Sequence, residues 1–561
     1  MQDDEYHSML QKLNKEQKEF FAHALHLIKT SDRPFYAFLS GGGGVGKSHL
    51  TKSIYQAALK YYNSRQGEDF HQVNILLLAP TGKAAFLIKG NTIHSALAIP
   101  ASQSLKNYRQ LDSSRLNTLR SLLGGVKLIL LDEISMVGNN MFTVQINNRL
   151  KDIKGSKEDF GGVNIIAIGD LFQLQPVFDG YVYNDIQDSE YSILSPNLWK
   201  KHFTMYELKE IMRQRESKVF AEILNRLREG QHTQDDIAKI KERFVNDSNC
   251  PKEAPRMFIQ NAKVDEYNGT VYHASTGKKY IIIAQDSVIG ANSAELRDKI
   301  LRQVPFLSTR NTKQLARNLA LAEGERTEIA LNVRTDDGLT NGASNVIRLV
   351  QLYQPEKPSG IIWVQFDDED VGKKTRQENR RLYVQGIKVT WTPIKAVTSQ
   401  FAVGRNKSAQ VVRKQFPLRP AAAKTVHRSQ GDTQSKIVVN LDTKRAIPHI
   451  HYVALSRVTS IDGLYVTGLC ENKIAVDPKV TAEMEDLRRE RRLQLCFTPL
   501  YNIDPGCLKI CYLNARSLHK HINDVRKDFN FMSAHLAIFS EARFSPYEED
   551  DIYSFRGFQL F

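Results

Sequence analysis

Short apolar runs alternate with segments of helical periodicity through the first 200 residues of the chain. Each run is bounded by turn residues, as the buried strands of a parallel sheet are. A polar or glycine-rich motif follows each run, and the carboxyl ends of parallel strands meet at one edge of a sheet. The pattern therefore predicts an α/β domain with its chemistry at that edge. The predicted strands are Phe35–Leu39, Val73–Leu78, Lys127–Leu131 and Val163–Ile168.

A second apolar series begins after residue 250 and predicts a second parallel sheet. Between its members, residues from about 346 to 416 carry β-branched and aromatic runs, such as Ile361–Phe366 and Val389–Trp391, broken by charged turns. This stretch predicts a small β module inserted in the second α/β domain. The predicted strands of the second sheet are Met257–Ile259, Ile437–Leu441 and Leu464–Val466.

These patterns divide the chain into four regions. Residues 1–200 and 201–480 are predicted to form two α/β domains, the second with the inserted module. Residues 481–505 are predicted to be a helix and linker, and 506–561 the start of a further α/β domain. The helix, Ala482–Leu495, is rich in arginine, and we favour a solvated helix face over a nuclear signal as its interpretation.

Composition narrows the possible partners. The 561 residues include 77 Lys and Arg against 62 Asp and Glu, a formal charge of +15, which favours nucleic acid before membrane as a partner. The five cysteines are sparse and odd in number, which indicates a reducing compartment. No apolar run approaches the ~18 residues of a membrane span, and the first residues are acidic where a signal peptide would be basic. We therefore expect an intracellular protein without a membrane partner.

The segment Gly41–Ser48, GGGGVGKS, fits the G-x-x-x-x-G-K-[ST] pattern of a phosphate-binding loop. It lies between a predicted strand and a helical run, His49–Tyr61, as such a loop requires. Lys47 should contact the β and γ phosphates, and Ser48 should help to hold Mg²⁺. A glycine-rich turn is the alternative. The glycines expected to bring backbone N–H groups to the phosphates are Gly41, Gly44 and Gly46.

Two acids follow the third predicted strand, which ends in LLDEIS. Asp132 is expected to hold Mg²⁺ through water, and Glu133 to polarise the attacking water. An acidic first turn of a helix is the alternative. Because the pair comes 85 residues after Lys47 and at a strand end, we favour the catalytic interpretation, with ATP and Mg²⁺ as cofactors.

Further motifs follow in order between residues 8 and 480. They are LNKEQKEFF (Leu13–Phe21), APTGKAA (Ala79–Ala85), GNTIHSAL (Gly90–Leu97), GDLFQLQPV (Gly169–Val177), LKEIMRQ (Leu208–Gln214), TDDGLTNGA (Thr335–Ala343), KTVHRSQGDT (Lys424–Thr433) and HYVALSRVTS (His451–Ser460). The ordered set resembles superfamily 1 helicases, specifically the PIF family of the 1B branch. The resemblance implies an α/β fold with two RecA-like parallel-sheet motor domains, a small β-rich insertion in the second, and an incomplete C-terminal α/β segment.

The resemblance also implies residue roles. Gln17 would contact adenine, since an amide can donate and accept together. Gln173 would sense the γ phosphate, Gly431 would lie at the nucleotide, and Arg213 and Arg457 would be arginine fingers. The residues implied to contact single-stranded DNA are Pro80, Thr81, Thr92, His94, Thr425, His427 and Ser429.

The implied function is an ATP-dependent DNA helicase that moves 5′ to 3′ on single-stranded DNA and opens duplex junctions, with ATP in the cleft between two motor domains. Such an enzyme would serve DNA replication, repair, recombination or transposition, and we expect it in the nucleus. Two alternatives stay open: an inactive transposon-derived remnant that binds nucleic acid, and an RNA helicase.

A basic stretch runs from Arg405 to Lys436, with eight Lys and Arg and one acid. Phe401, Phe416 and His427 are interleaved with it. This composition predicts a strip that follows a nucleic-acid backbone and stacks on its bases. A solvated basic face is the alternative.

Residues 508–561 contain LKICYLNARSLHKH and LAIFSEARFS. They resemble the start of an endonuclease/exonuclease/phosphatase domain found in retroelements and some Helitron transposases. Asn514 and Glu541 stand where that family places an Asn and a Glu around a divalent metal. We expect a fragment of a Helitron-type protein with no nicking activity, because the segment is shorter than such a nuclease. An incidental α/β tail is the alternative.

Overall fold

The computed structural model of the chain describes most of the sequence. The chain divides into two compact units. The larger unit contains Tyr36–Lys47 and His71–Arg491, and the smaller contains Met1–Phe35, Ser48–Phe70 and Arg492–Phe561. The described residues are 3–64, 73–100, 105–176, 179–186, 196–212, 218–290, 293–403, 409–496, 506–528, 531–544 and 550–559.

Strands and helices alternate through the first 208 residues, and a strand-rich region follows the eleventh helix. The strands are β1 Tyr36–Gly41, β2 Ile75–Ala79, β3 Asn91–Thr92, β4 Leu128–Leu131, β5 Asn164–Gly169, β6 Thr204–Leu208, β7 Arg256–Phe258, β8 Lys279–Ile283, β9 Gln285–Ile289, β10 Asn318–Ala322, β11 Arg326–Ile329, β12 Ser344–Leu352, β13 Gly360–Phe366, β14 Thr392–Lys395, β15 Val397–Val403, β16 Ala409–Gln415, β17 Leu418–Pro420, β18 Ala423–Thr425, β19 Ile437–Leu441, β20 Leu464–Leu469, β21 Ile510–Asn514 and β22 Leu536–Ser540. The α-helices are α1 Asp3–Gln11, α2 Lys15–Thr30, α3 Lys47–Asn63, α4 Gly82–Leu87, α5 Ile93–Ala96, α6 Ser113–Leu123, α7 Asn147–Lys154, α8 Leu198–His202, α9 Lys218–Glu229, α10 Gln234–Lys241, α11 Asn261–Ala274, α12 Ala294–Gln303, α13 Lys373–Glu378, α14 Ile450–Leu455, α15 Pro478–Arg489 and α16 Leu518–Lys527.

The first sheet has the strand order β3-β2-β4-β5-β1-β6, and all its pairs are parallel. Its central strands are continuous apolar runs, because both faces of the sheet are buried. The four strands predicted from the sequence lie in this sheet, with ends shifted by one or two residues. Strand β6 extends the sheet past residue 200, where the sequence pattern placed a domain boundary.

Helix α15 corrects the interpretation of the arginine-rich segment. It begins at Pro478 and ends at Arg489, and its residues Val480, Met484 and Leu487 are fully buried in the core of the first sheet. These three positions are spaced i, i+4 and i+7, so they form one apolar stripe. The solvated-face interpretation was therefore wrong for this side of the helix.

The second sheet has the order β18-β7-β19-β20 and is also parallel throughout. Helices α9 and α14 pack apolar side chains into its core, among them Leu224 and Val453 beside Val439. All three strands predicted for this sheet are present.

The inserted β region is larger than residues 346–416, since it runs from β8 to β17. It contains the antiparallel pair β10-β8 and the sheets β14-β13-β12-β11-β17 and β15-β16-β9. The predicted run Ile361–Phe366 lies within β13. The predicted strand Val389–Trp391 was wrong: it is a turn before β14, and Val389 is 76% exposed. The fold is α/β, with two RecA-like parallel sheets and a β-rich insertion in the second.

In the smaller unit, β21 and β22 form a parallel pair, and Leu518, Ile522 and Val525 of α16 are buried in a small core beside them. These residues give the C-terminal segment its own apolar cluster. Within the part of the chain that is described, no helix combines the length and the apolar character needed to cross a bilayer.

Candidate active site

The predicted phosphate loop lies between the end of β1 and the start of α3. Gly44 and Gly46 have φ of 85° and 78°, in the left-handed region that glycine adopts without steric cost. Lys47 Nζ donates hydrogen bonds to the carbonyl oxygens of Gly41 at 2.7 Å and Gly42 at 2.9 Å. Gly44 and Gly46 thus adopt a backbone conformation that favours glycine, and the Lys47 ammonium group is held against carbonyl oxygens of the loop. Ser48 is exposed and is the first residue of α3 that belongs to the smaller unit.

The predicted acid pair follows β4 at the same edge of the sheet. Asp132 Oδ1 accepts a 2.9 Å hydrogen bond from the Glu133 N–H. Glu133 has φ 51° and ψ 48°, a left-handed conformation that costs about 1–2 kcal/mol for a residue with a side chain. Its Oε2 atom is buried and accepts no hydrogen bond from the described residues. The strained turn therefore keeps a carboxylate oxygen available beside the predicted phosphate site.

Burial sets the electrostatics of this edge. Together with the neighbouring Glu133 carboxylate, whose effect is smaller, burial raises the pKa of Asp132 to about 7. Burial also lowers the pKa of Lys47, against the opposing effect of Asp170, Glu133 and Asp132. A divalent cation would relieve the crowding of negative charge, and carboxylate oxygen is a ligand that Mg²⁺ prefers. The donor set at Asp132 thus fits the predicted metal.

Side chains from the second sheet's helices meet the phosphate loop. The Tyr452 hydroxyl of α14 accepts a 2.9 Å hydrogen bond from the Gly43 N–H and donates one of 2.8 Å to Asp170 Oδ2. Asp170, which follows β5, also accepts a 3.0 Å bond from Arg228 Nε of α9. Tyr452 and Arg228 were not identified as site residues from the sequence. Tyr452 lies inside a recognised motif, whereas nothing in the sequence around Arg228 marks it.

Gln173, the predicted phosphate sensor, is buried after β5. Its Oε1 atom accepts a 2.8 Å hydrogen bond from Gln430 Nε2, in the motif that follows β18. The next residue, Gly431, has φ 79°. The structure therefore places Gln173 and Gly431 near each other, on segments that follow different sheets.

Arg457, a predicted arginine finger, is buried directly after α14. Its Nε donates to the Val453 carbonyl oxygen at 2.8 Å and its Nη2 to Ser456 Oγ at 2.7 Å. Its Nη1 donates to the Asp432 carbonyl oxygen at 3.3 Å. The guanidinium is thus held by its own side of the cleft in this state. Arg213, the other predicted finger, lies outside the described residues.

Asp432 forms ion pairs with lysines from both sides of the cleft. Its carboxylate is buried and forms ion pairs with Lys83 of α4 and with Lys424 of β18. Although burial opposes ionisation, these two lysines lower the pKa of Asp432. The sequence shows both Asp432 and Lys83 inside recognised motifs, but not that they meet.

A cavity of about 250 Å³ brings together four of the residues predicted to contact DNA. Pro80, Thr81, His94 and His427 line it, together with Gln175 and other residues. Burial lowers the pKa of His94, so its ring is neutral near pH 7. The two histidines come from motifs after different sheets, and the cavity therefore lies where those motifs meet.

The other three predicted DNA contacts are buried, and within the described chain they are not part of the cavity lining. Thr92 and Thr425 cap short helical turns by accepting from the Ser95 and Arg428 N–H groups at 3.2 and 3.4 Å. Ser429 Oγ donates to the Val426 carbonyl oxygen at 2.8 Å. These hydroxyls shape the motif loops in this state.

The basic strip predicted from Arg405 to Lys436 is not a continuous exposed surface. Phe401 and Phe416 are buried in separate apolar cores, and Arg413 is 1% exposed. Over its described residues the prediction was wrong, because acids within and outside the strip pair with several of its cations. Arg405 and Lys407 lie outside the described residues. The ion pairs are Arg413 with Asp286, Arg419 and Arg428 with Glu328, and Lys424 with Asp432.

Two predicted sites lie in the smaller unit. Gln17 is buried and completes a capping box with Asn14, each side chain accepting from the other's backbone N–H at 2.9 to 3.0 Å. Asn514 and Glu541 follow the parallel strands β21 and β22, and Asn514 Nδ2 donates to Glu541 Oε1 at 2.9 Å. The structure thus brings the two predicted metal ligands together. No group of three or more His, Cys, Asp or Glu suited to a metal occurs among the residues described.

Residues 12–238 match the model of the PIF1-like helicase family. The chain is 27% identical over 474 residues to the ATP-dependent DNA helicase PIF1 of Emericella nidulans, covering 79% of this chain and 60% of that protein. It is 25% identical over 521 residues to uncharacterized protein 030L of Invertebrate iridescent virus 6, covering 85% and 94%. The matched residues, 12–238, contain the first part of the motif series that resembles this family. The chain spans about 60% of the length of the Emericella relative.

Solved helicases share the fold. The crystal structure of Pif1 helicase from Candida albicans has a TM-score of 0.61 at 24% identity, covering 85% of this chain and 99% of that one. The Pif1 helicase from Bacteroides in complex with ADP-AlF3 and ssDNA has a TM-score of 0.59 at 21% identity, covering 85% and 98%. At this level of identity the likeness shows the fold alone, an architecture with two parallel sheets.

Proposed function

We propose that this chain is an ATP-dependent DNA helicase that moves 5′ to 3′ along single-stranded DNA. One observation carries the proposal: the phosphate loop at Gly43 and the carboxylate of Asp170 are bonded to Tyr452 from the other side of one cleft. In this state the contact joins the two sides of the cleft at the loop where the phosphates of a nucleotide would bind. The helicase relatives named above support the assignment of the substrate.

The reaction follows from the proposed site residues. The N–H groups of the phosphate loop and Lys47 would bind the β and γ phosphates. Glu133 would accept a proton from the attacking water through the oxygen that has no partner in the described structure. Mg²⁺ held by Asp132 would supply positive charge to the phosphates.

Arginine would complete the site from the other side of the cleft. Arg213 and Arg457 would neutralise charge in the transition state, an effect worth about 10³ to 10⁵ in rate in related phosphoryl transfers. Because Arg457 is bonded to Val453, Ser456 and Asp432 in this state, it must leave these partners to reach phosphate. Closure of the cleft would therefore precede hydrolysis and couple it to motion along the strand.

The nucleic-acid path is proposed to pass the cavity between His94 and His427. A DNA strand in this cavity would contact motifs from both α/β domains. Opening or closing of the cleft would therefore move the contacts made by one domain relative to those made by the other. We propose single-stranded DNA and duplex junctions as the binding partners of this chain. We also propose nuclear localisation and a role in DNA repair or recombination, on family resemblance alone.

The test is ATP hydrolysis by purified protein with no nucleic acid, with single-stranded DNA and with RNA. DNA-stimulated hydrolysis is expected, and stimulation by RNA alone would favour an RNA helicase. Hydrolysis undetectable under all three conditions, in folded protein, would favour the inactive nucleic-acid-binding remnant. Duplexes with a 5′ or a 3′ single-stranded tail test direction, and unwinding of only the 3′-tailed duplex would contradict the proposed polarity.

We further propose that the C-terminal segment is the start of a vestigial endonuclease-like domain of Helitron type. The 2.9 Å contact between Asn514 and Glu541 at the ends of two parallel strands supports this proposal. Measurement of Mg²⁺ binding in Glu541→Ala, with Glu485→Ala as a control, tests the metal role. Equal Mg²⁺ affinity in both variants would contradict it.

A further inference from the structure

We propose that Tyr452 is a latch that ATP must displace from the phosphate loop, and that its release frees Arg457 for the reaction. The proposal rests on the proposed ATPase function. It assigns a positioning role to a side chain that does not itself react.

The hydroxyl of Tyr452 has a fixed orientation. It is 2.8 Å from Asp170 Oδ2 and 2.9 Å from the backbone nitrogen of Gly43, and the residue is 3% exposed. A hydroxyl carries one proton, so it must donate to the carboxylate and accept from the N–H. Both bonds lie in a buried environment, where an unmet polar group is costly.

This position competes with phosphate. The Gly43 N–H belongs to the loop whose backbone N–H groups bind phosphate oxygens, and it cannot make a full hydrogen bond to both partners. A Cβ atom placed on Gly42 or Gly43 would lie 3.4 or 3.8 Å from the Tyr452 oxygen, so the phenol occupies the space next to the loop. Phosphate that takes the Gly43 N–H must therefore displace this hydroxyl.

Displacement leaves no buried charge unpaired. Asp170 Oδ1 still accepts the 3.0 Å bond from Arg228 Nε, and the Arg228 guanidinium lies 4.6 Å from the Phe172 ring centroid. The carboxylate thus keeps a cationic partner when the phenol moves. Opening the latch breaks the bond to the Gly43 N–H, which a phosphate contact replaces, and the bond to the Asp170 carboxylate, which keeps Arg228 as its partner.

Movement of Tyr452 is transmitted along α14 to Arg457. The Ser456 N–H donates to the Tyr452 carbonyl oxygen at 2.9 Å, and Ser456 Oγ accepts from Arg457 Nη2. Arg457 Nε is bonded to Val453, the residue after Tyr452. A shift of this turn displaces two of the guanidinium's acceptors, Val453 and Ser456, at once, and so links phosphate binding to release of the arginine.

The first test is Tyr452→Phe, with Tyr465→Phe on β20 as the matched loss of a hydroxyl. Affinity for a fluorescent ATP analogue is measured without DNA, and hydrolysis with and without single-stranded DNA. We expect Tyr452→Phe to bind nucleotide about two- to tenfold more tightly, the range of one hydrogen bond, and to lose part of its DNA stimulation. Unchanged or weaker affinity in a folded variant would overturn the latch.

A second measurement does not depend on a substitution that could affect folding. 3-Fluorotyrosine placed at position 452 of the full chain should give a ¹⁹F resonance that shifts when Mg²⁺ and a non-hydrolysable ATP analogue are added. The same label at position 465 should not shift. Nucleotide binding with an unmoved signal at 452 would overturn the latch alone, whereas absence of nucleotide binding by the unsubstituted protein would overturn the proposed function.

Discussion

Gln430 Nε2 donates a 2.8 Å hydrogen bond to Gln173 Oε1, joining a segment that follows the second sheet to one that follows the first. Gln173 is buried, and Gln430 also lines the cavity that contains His94 and His427. This bond connects the predicted γ-phosphate sensor to the proposed nucleic-acid path. If DNA binds in that cavity as proposed, this bond would link its binding to hydrolysis.

Gln430→Ala should therefore weaken DNA stimulation more than nucleotide binding. Loss of one such hydrogen bond changes an equilibrium by up to about tenfold, so we expect a decrease of that size in DNA-stimulated turnover. Steady-state ATPase assays over a DNA titration measure it, with the exposed Gln410→Ala as control. An equal fall in turnover with and without DNA would contradict the coupling role.

Lys47→Ala should abolish ATP hydrolysis and leave single-strand binding within several-fold. The ammonium group lies at the phosphate loop, whereas the proposed DNA cavity is lined by other motifs. Turnover and fluorescence-anisotropy titrations measure the two properties, with Lys52→Ala on the exposed side of α3 as control. Loss of DNA binding in folded Lys47→Ala would show that the two sites are not separate.

Glu133→Gln should bind ATP with Mg²⁺ but hydrolyse it about 10² to 10⁴ times more slowly, the range expected for loss of a general base. The substitution keeps the size of the side chain and leaves the Asp132 carboxylate in place. Single-turnover hydrolysis and nucleotide affinity are the measurements. Near-normal turnover would remove Glu133 from its proposed role.

Arg413→Gln should lower stability without changing the salt dependence of DNA binding. Arg413 is bonded to Asp286 at 2.7 and 2.8 Å and is 1% exposed, so its loss leaves a carboxylate without its ion-pair partner, a change that costs about 3–5 kcal/mol when such pairs are buried. Chemical unfolding measures the loss, and the neighbouring exposed Lys414→Gln is the control.

Each phosphate that a single-strand binder neutralises adds about 0.7 to the slope of log affinity against log salt concentration. If Arg413 contacted the strand, Arg413→Gln would reduce the slope by that amount. An unchanged slope is expected, because the guanidinium is bonded inside the protein. The basic composition of the strip does not by itself make a DNA-binding surface.

Much of the fold follows from local patterns in the sequence. Seven strands of the two parallel sheets were predicted, most with ends within one or two residues, because each is a short apolar run that ends at a motif. Strand β20 ends three residues after its predicted end, and β3, β6 and β18 were not predicted. The turn Val389–Trp391 was predicted as a strand because Val, Thr and Trp are typical strand residues, although Val389 is exposed and the run is only three residues long. Side-chain type alone did not distinguish the turn from a strand.

The sequence predicted those site residues that lie within short motifs, but it did not predict the contacts between motifs. Lys47 and Asp132 were identified from their own neighbours in sequence, but the contact of Tyr452 with Gly43 joins residues 409 positions apart. Ion pairs such as Arg413 with Asp286, 127 positions apart, likewise leave no trace in a local window. A run of charged residues was therefore predicted to be exposed to solvent, whereas in the fold several of its side chains are paired with acids.

Helix α15 tests whether a segment rich in charged residues can still be anchored in the core. Met484 is fully buried in the core of the first sheet, in one stripe with Val480 and Leu487. Met484→Ala should lower the free energy of unfolding by about 2–5 kcal/mol, the usual cost of truncating a buried long side chain. Thermal or denaturant unfolding of the full chain measures the change.

Arg489→Ala on the same helix is the control, because its side chain is 83% exposed and pairs only with the adjacent Glu490 among the described residues. Such a surface pair contributes little, so this variant should unfold close to the unsubstituted protein. If Met484→Ala were as stable as Arg489→Ala, α15 would not be anchored in the core, and the arginine-rich segment would be the solvated helix that its composition suggests. The buried stripe at i, i+4 and i+7 predicts the opposite, since removing one of its three side chains opens a cavity that the two neighbours cannot fill.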